Sequence, residues 1–171
     1  MAVDLQGNVY IGEAGNNIVR VIPQLGSVSG RMTSIVAGNR VNATSLTTGL
    51  ATSMPLASPK AIAVDQSGNL YIRSGDVVRY VSASTGIIST AVGSSLTGQG
   101  GAGGPATSVR LSSTETLGLS IDLLGNLYIA ASGSNTIMAM ICKFVSWNQL
   151  LFILYSVVVI FVMHTSKCSL I

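Results

Sequence analysis

Three aspartates are the side chains whose type and spacing suggest chemistry in this sequence. Asp4, Asp65 and Asp122 each begin the pattern Asp-x-x-Gly-Asn-x-Tyr-Ile, within AVDLQGNVYI, AVDQSGNLYI and SIDLLGNLYI. Carboxylates repeated in this way can ligate a cation or serve as acid and base groups. If the carboxylates converged on one shared pocket, the metal interpretation would be favoured.

Each aspartate also stands at the start of a turn pattern. A glycine follows it three residues later, at Gly7, Gly68 and Gly125. An Asp side chain accepts backbone N–H bonds across a turn, and glycine supplies the positive φ at its end. The pattern therefore predicts three structural turns, with no catalytic, metal or cofactor-binding role for these residues.

The other candidate residues have simpler interpretations. The run from Gly98 to Gly103 fits G-x-G-x-x-G, but Pro105 and a β-type run follow where a dinucleotide site needs a helix, so we interpret it as a connector. His164 is the only histidine and follows an apolar segment, which argues against a Ser-His-Asp or Cys-His site elsewhere. Asn42 begins an Asn-Ala-Thr glycosylation sequon, which matters only in a secreted chain.

Two arginines, Arg20 and Arg79, occupy matching positions in the repeated units. We expect them on a solvated strand face, and the alternative is a repeated contact surface. The net charge is +3 and the basic residues are scattered, so no nucleic-acid footprint is visible. Cys142 and Cys168 provide neither a disulfide framework nor metal-ligand spacing. The N-terminus has no signal-peptide pattern.

The elements that position the aspartates belong to an internal repeat. GLATS at 49–53 is matched by GPATS at 104–108, and TSIVAG at 33–38 is matched by ISTAVG at 88–93. Residues 60–93 alternate β-rich runs with turn residues, which predicts a four-stranded antiparallel unit with turns at 65–68, 75–76 and 84–86. A four-stranded sheet repeated at this period is typical of β-propeller blades.

The motifs AVDxxGNxYI, NNIVRVI, ISTAVG and GQGGAGGPATS resemble those of NHL-repeat propellers, in particular the teneurin-type units. This resemblance implies an all-β, incomplete β-propeller of about two to three four-stranded antiparallel blades over 1–141. The units are an incomplete blade at 1–41, a full blade at 60–93 and an incomplete blade at 116–141. Closed propellers have about four to eight blades, so further blades would be needed to close a ring.

A hydrophobic segment follows the repeats at 144–163. It is 20 residues long, contains no proline or glycine, and has the length of a bilayer-spanning helix. The sequence thus predicts a C-terminal hydrophobic helix, a single-pass membrane localisation and an extracellular propeller. The alternatives are an artefactual tail of the gene model, a buried element, or a fourth strand for the last blade.

The sequence favours a non-enzymatic module that binds a protein or glycan ligand, as a fragment of a longer repeat protein and with a membrane tether. One alternative is a fragment of a propeller enzyme of the lyase or lactonase type, which lacks most of its site. Another is that the fragment has no independent function.

Overall fold

The described part of the chain is all-β, with only short 3-10 helices beside its strands. A computed structural model describes residues 1–24, 32–94, 96, 105–111, 117–131, 136–141 and 169–170 of the 171-residue chain. These residues form three antiparallel sheets and two 3-10 helices, Ala51–Ser53 and Ala106–Ser108. The sheets described here do not form a closed ring. The all-β class predicted from the sequence is confirmed.

Sheet 1 has four strands in sequential order. They are β1 (Ala2–Val3), β2 (Val9–Glu13), β3 (Ile18–Ile22) and β4 (Ser34–Ala37). The sequence predicts an incomplete blade over 1–41. Two residues nevertheless form the first strand, since Ala2 pairs with Tyr10 and Val3 with Val9.

Sheet 2 has five strands, in the order β5-β9-β8-β7-β6. They are β5 (Gly49–Leu50), β6 (Ile62–Val64), β7 (Leu70–Ser74), β8 (Val77–Val81) and β9 (Ile87–Val92). The last four are the strands expected within 60–93. The fifth strand, β5, was not expected: two residues of the connector pair with β9 through Gly49↔Ile88 and Leu50↔Ile87.

Sheet 3 comprises β10 (Leu117–Ile121), β11 (Leu127–Ala131), β12 (Thr136–Ile141) and β13 (Ser169–Leu170). The sequence predicts an incomplete blade at 116–141, with a fourth strand from the hydrophobic segment as one alternative, and in the structure β13 pairs with β12 through Ile141↔Ser169. The hydrophobic helix predicted at 144–163 lies outside the described residues. Within the described residues, no helix has both the length and the apolar character needed to cross a bilayer.

Sheet 2 packs between the other two sheets and buries both of its faces. Ile62, Ile72 and Val81 belong to the apolar cluster shared with sheet 1. Tyr71 and Val78, which point to the opposite face, belong to the cluster shared with sheet 3. Every residue of β7 is therefore buried, and the strand lacks the alternation of a sheet with one solvated face.

Two equivalent glycines fasten the connectors between the sheets. The Gly38 N–H donates to the Ala51 carbonyl over 2.9 Å, and the Gly93 N–H donates to the Ala106 carbonyl over the same distance. Both alanines begin a 3-10 helix and are 1 % exposed. The repeated VAG/AVG and ATS motifs thus hold each connector against the sheet that it follows.

Candidate functional site

The candidate site is built from the three aspartate turns, and the first turn shows the hydrogen-bond pattern. Asp4 Oδ1 accepts the backbone N–H groups of Gln6 at 3.0 Å and Asn8 at 2.8 Å. Asp4 Oδ2 accepts the Asn8 side-chain amide at 2.8 Å and the Tyr10 hydroxyl at 3.1 Å. One carboxylate therefore closes the turn and fastens the start of β2.

The third turn repeats this pattern bond by bond. Asp122 Oδ1 accepts the backbone N–H groups of Leu124 at 2.9 Å and Asn126 at 2.8 Å. Asp122 Oδ2 accepts the Asn126 side-chain amide at 2.7 Å and the Tyr128 hydroxyl at 3.1 Å. The Asp, Asn and Tyr of the motif are thus parts of one local network.

The second turn has the same aspartate–asparagine contacts. Asp65 Oδ1 accepts the N–H groups of Ser67 and Asn69, both at 2.9 Å, and Asp65 Oδ2 accepts the Asn69 side-chain amide at 2.8 Å. The following Tyr71 is 7 % exposed and packs edge-on against Tyr80, with ring centroids 5.3 Å apart. Here the tyrosine contributes to the core between sheets 2 and 3.

The glycine of each turn takes the left-handed conformation that the sequence pattern requires. The φ angles of Gly7, Gly68 and Gly125 are 80°, 81° and 82°. Each glycine N–H donates to the carbonyl of its own aspartate over 3.0 Å. A side chain at this φ is strained, which accounts for a glycine at the same place in all three turns.

The asparagine of the motif has a structural role that the turn pattern alone does not predict. Asn8 Oδ1 accepts the Gln24 N–H at 3.1 Å, and Asn69 Oδ1 accepts the Ala83 N–H at 2.9 Å. The asparagine therefore connects its turn to the chain beyond the third strand of its sheet. In sheet 3, Asn126 Oδ1 is buried without a partner among the described residues. The invariant Gly-Asn pair in the three repeats was the available signal.

The three turns meet around one cavity. Its volume is ≈ 100 Å³, and its lining consists of the three segments 3–5, 64–66 and 121–123, each centred on one of the aspartates. The Gln66 side-chain amide donates to the Leu123 carbonyl over 3.2 Å and joins the second turn to the third. The turns thus close locally and also converge, whereas sequence analysis treated these outcomes as alternatives.

The carboxylates have little capacity left for a metal ion. A carboxylate offers about four acceptor positions, and the turn uses four at Asp4 and four at Asp122. A cation would have to displace N–H or O–H donors from these oxygens. Among the described residues, no group of three His, Cys, Asp or Glu side chains is placed to hold a metal.

The turn network also shifts the protonation of its members. Burial raises the pKa of Asp4, but the bonds from Asn8, Tyr10 and Gln6 outweigh it and leave that pKa below its usual value. Burial raises the pKa of Tyr10 to about 12, with further contributions from its bond to Asp4 and from the charge of Asp4. The network therefore moves the pKa of the carboxyl and the pKa of the phenol further apart, so the charged carboxylate and the neutral phenol persist over a wider pH range.

Exposed leucines belong to the first and third turns, and two of them, Leu5 and Leu123, line the cavity. Leu5 is 72 % exposed, Leu123 is 79 % exposed and Leu124 is 64 % exposed. We call these three leucines and the cavity the turn face. Apolar side chains grouped around a depression are characteristic of interaction sites, whereas singly scattered ones are normal on a surface.

The two matched arginines do not lie on a common solvated face. Arg79 is 1 % exposed, and its guanidinium donates to the carbonyls of Ser45 and Thr47 and to Thr90 Oγ1. Those two carbonyls belong to the connector between sheets 1 and 2. The prediction of a solvated face is therefore wrong for Arg79, because its charge is satisfied by the connector that packs over it.

Arg20 occupies the same position in sheet 1 but has a different partner. Its side chain is 31 % exposed and forms an ion pair with Glu13 of the neighbouring strand. Asn42 of the sequon is exposed in the connector. The Gly98–Gly103 run, His164 and both cysteines lie outside the described residues.

Comparison with known proteins shows similarity of fold and no function. No family model and no curated protein matches the chain. Forty chains of solved structures do match. One is a structural genomics protein of unknown function from Bacteroides thetaiotaomicron, with a TM-score of 0.59 and 20 % sequence identity. The match covers 77 % of this chain and 31 % of that protein, so this chain spans about a third of its length.

Proposed function

We propose that the chain is part of an NHL-like β-propeller and acts as a non-enzymatic module that binds a protein or glycan ligand. Three observations support the propeller architecture. The sheets stack face to face through shared apolar clusters. The equivalent strands β1, β6 and β10 are neighbours, because β6 contacts both of the others, and the equivalent turns meet at one end. Propellers arrange their sheets around a central channel in this way. The similarity to about a third of a larger solved structure is consistent with a segment of a longer ring.

The convergence of the three turns around one cavity is the observation that carries the proposed binding function. A rigid scaffold that presents loops at one end is a common way to build a binding surface. The aspartates are engaged in turn closure, so the groups available to a ligand are mainly Leu5, Leu123, Leu124 and the Gln66 side chain. This composition suits apolar contacts, with few polar groups to orient the ligand.

Array binding tests this proposal directly. The labelled full chain is applied to immobilised glycans and to a displayed peptide library, beside the variants Leu123→Asp and Val41→Asp. Val41 is the matched control, because it is a 53 % exposed apolar residue of the connector and does not line the cavity. We expect Leu123→Asp to lose at least about tenfold in affinity, as for an apolar contact near the centre of an interface. Equal binding by both variants would contradict the turn face as the binding site.

The enzyme alternative draws on the same three carboxylates. A propeller lyase or lactonase would collect metal ligands at the central channel, and Asp4, Asp65 and Asp122 are the acidic residues that line the cavity between the three turns. Calorimetric titration with Ca²⁺ and Mn²⁺ separates the two candidates. Stoichiometric binding that is abolished by Asp65→Asn would favour the enzyme fragment, and absence of binding would favour the non-enzymatic module.

A membrane tether through 144–163 remains part of the proposal, supported by the length and apolar character of that segment. The pairing of β12 with β13 limits this tether, because it places Ile141 directly opposite Ser169 in sheet 3, on the two sides of the hydrophobic segment in the sequence. A helix that crosses a bilayer once has its ends about 30 Å apart on opposite sides. Crossing therefore requires β13 to separate from β12.

Alkaline carbonate extraction tests the tether. We expect the intact chain to resist extraction and a variant without 144–171 to leave the membrane fraction. Extraction of the intact chain would contradict a spanning segment and would leave the binding proposal unaffected.

A further inference from the structure

The exposure of the turn face is a property of the turns themselves. Gln66 and Ser67 belong to the second turn, which has another turn on either side of it at the cavity, and both residues are exposed. Leu5 and Leu123 hold the position of Gln66 in their own turns, and Leu124 holds the position of Ser67. A turn on each side therefore leaves these two positions in solvent, where a ligand can reach them.

The same face concentrates negative charge that no nearby cation balances. Asp4, Asp65 and Asp122 line the cavity, and every hydrogen bond that their carboxylates accept from described residues comes from a neutral N–H or O–H group. Within the described part of the chain, no lysine or arginine forms an ion pair with these carboxylates. Neutral donors satisfy the oxygen lone pairs but leave the net charge, so this face attracts a cation.

Asp65 also keeps an acceptor position that is occupied at its two counterparts. At Asp4 and Asp122, Oδ2 accepts a tyrosine hydroxyl as well as an asparagine amide. Tyr71 packs against Tyr80 instead, so the Asp65 carboxylate accepts three bonds, against the about four that a carboxylate can accept. One N–H donor of a ligand can therefore bind Asp65 without breaking its turn, whereas a metal ion needs several oxygens.

We propose that the turn face binds a protein segment in which apolar side chains flank a lysine or an arginine. The inference rests on the binding role of the turn face in the proposed function, and it narrows the ligand to a protein. The apolar side chains cover Leu5, Leu123 and Leu124, and the basic group lies among the three carboxylates with a hydrogen bond to Asp65. A glycan fits this face less well, because its hydroxyl groups would be buried against leucines with few partners.

Selection from a displayed library of random peptides tests this chemistry. The labelled full chain, kept in a non-ionic detergent, is the bait, and the selected pool is sequenced and compared with the starting library. We expect enrichment of lysine or arginine beside leucine, isoleucine or phenylalanine. In the strongest peptide, replacing the basic residue with glutamine should raise the dissociation constant at least about tenfold, because a charge-assisted hydrogen bond is lost. Added salt should weaken the basic form alone.

Two lysine variants of the chain separate the charge of the turn face from general effects. Gln66→Lys adds a positive charge to the cavity lining, and its ammonium can still donate to the Leu123 carbonyl that the Gln66 amide contacts. It should weaken the basic peptide about tenfold and leave binding of the glutamine form unchanged, which also shows that the variant is folded. Val41→Lys, an exposed connector residue that does not line the cavity, is the matched control and should bind as the wild type does.

The outcomes distinguish this inference from the proposed function. Enrichment of neutral or acidic peptides that still depend on Leu123, or binding of glycans in place of peptides, would overturn the basic ligand and leave the binding role of the turn face intact. Equal affinity of the basic peptide for Gln66→Lys and Val41→Lys would overturn it as well. A chain that selects no peptide and binds no glycan would contradict both proposals.

Discussion

Replacing Gly93 with alanine examines how each connector is fastened to its sheet. Gly93 has a φ of 102°, and a Cβ at this position would lie 2.6 Å from the Asp76 carbonyl oxygen and 2.9 Å from the Val77 Cα. Both neighbours are backbone atoms, one in the tight turn after β7 and one in the first residue of β8, so they cannot move aside cheaply. A Cβ at Gly38 would meet the carbonyl oxygen of Asn17 in the same manner in sheet 1.

Two costs add in the Gly93→Ala variant. The left-handed conformation costs a non-glycine residue about 1–2 kcal/mol. Forcing a methyl group into a packed site costs about 1–3 kcal/mol more. The sum, about 2–5 kcal/mol, is a large part of the ~5–15 kcal/mol by which a typical domain is stable.

Urea unfolding followed by circular dichroism measures this loss in the full chain. Gly15→Ala is the matched control, because no atom lies within 4 Å of its Cβ position. The control should change the free energy of unfolding by less than about 1 kcal/mol. If Gly93→Ala were no more destabilising than Gly15→Ala, the close approach of Gly93 to the backbone of Asp76 and Val77 would be contradicted.

Three further predictions concern the arginines, the tyrosines and the sequon. Arg79→Met should lower the free energy of unfolding by about 1–3 kcal/mol, because the connector carbonyls lose their hydrogen-bond donor. Arg20→Met, which removes an exposed ion pair, should lower it by less than about 1 kcal/mol. Equal losses in urea unfolding would contradict the buried role of Arg79. Burial raises the pKa of Tyr10 and of Tyr71 to about 12 in the folded chain. The folding free energy that these two neutral phenols contribute is therefore fully present below their unfolded pKa of 10.0. It should be lost as the pH rises from 10.0 through about 12. Ultraviolet titration with a single step near 10 would refute this. Expression in a secretory pathway should add a glycan at Asn42, seen as an increase in the chain mass by mass spectrometry, and Asn42→Gln should abolish it. A secreted chain of unmodified mass would contradict an accessible sequon.

Local repeats made the four strands of sheet 2 and the three aspartate turns predictable, because Asp65 and Gly68 specify their turn within a few residues. The β5 strand was not predictable in this way, since the two-residue segment Gly49–Leu50 carries no periodicity and depends on β9. The burial of Arg79 was hidden for a similar reason. Its partners Ser45 and Thr47 lie more than 30 residues earlier, and only the folded connector brings them to the guanidinium.

The convergence of the turns was posed as an alternative to local closure because the sequence does not specify how the sheets are arranged around one another. The Asp4 turn is complete by itself, and nothing within its motif requires Asp122 to be near. Packing of sheet 2 between its neighbours brings both turns to the same cavity. The position of the candidate site therefore depends on contacts between repeats, whereas the shape of each turn depends on contacts within one repeat.

Distances between spin labels at the three turns test the central claim most directly. Pairs of cysteines replace Leu5, Gln66 and Leu123, two at a time, after Cys142 and Cys168 are changed to serine. Because the turns surround one cavity, the distance between the first and third turns should be similar to the distances between neighbouring turns. Sheets stacked in a row, about 10 Å apart, would instead place the first and third turns about twice as far apart as neighbours. That twofold ratio would contradict the shared site and the propeller arrangement proposed from it.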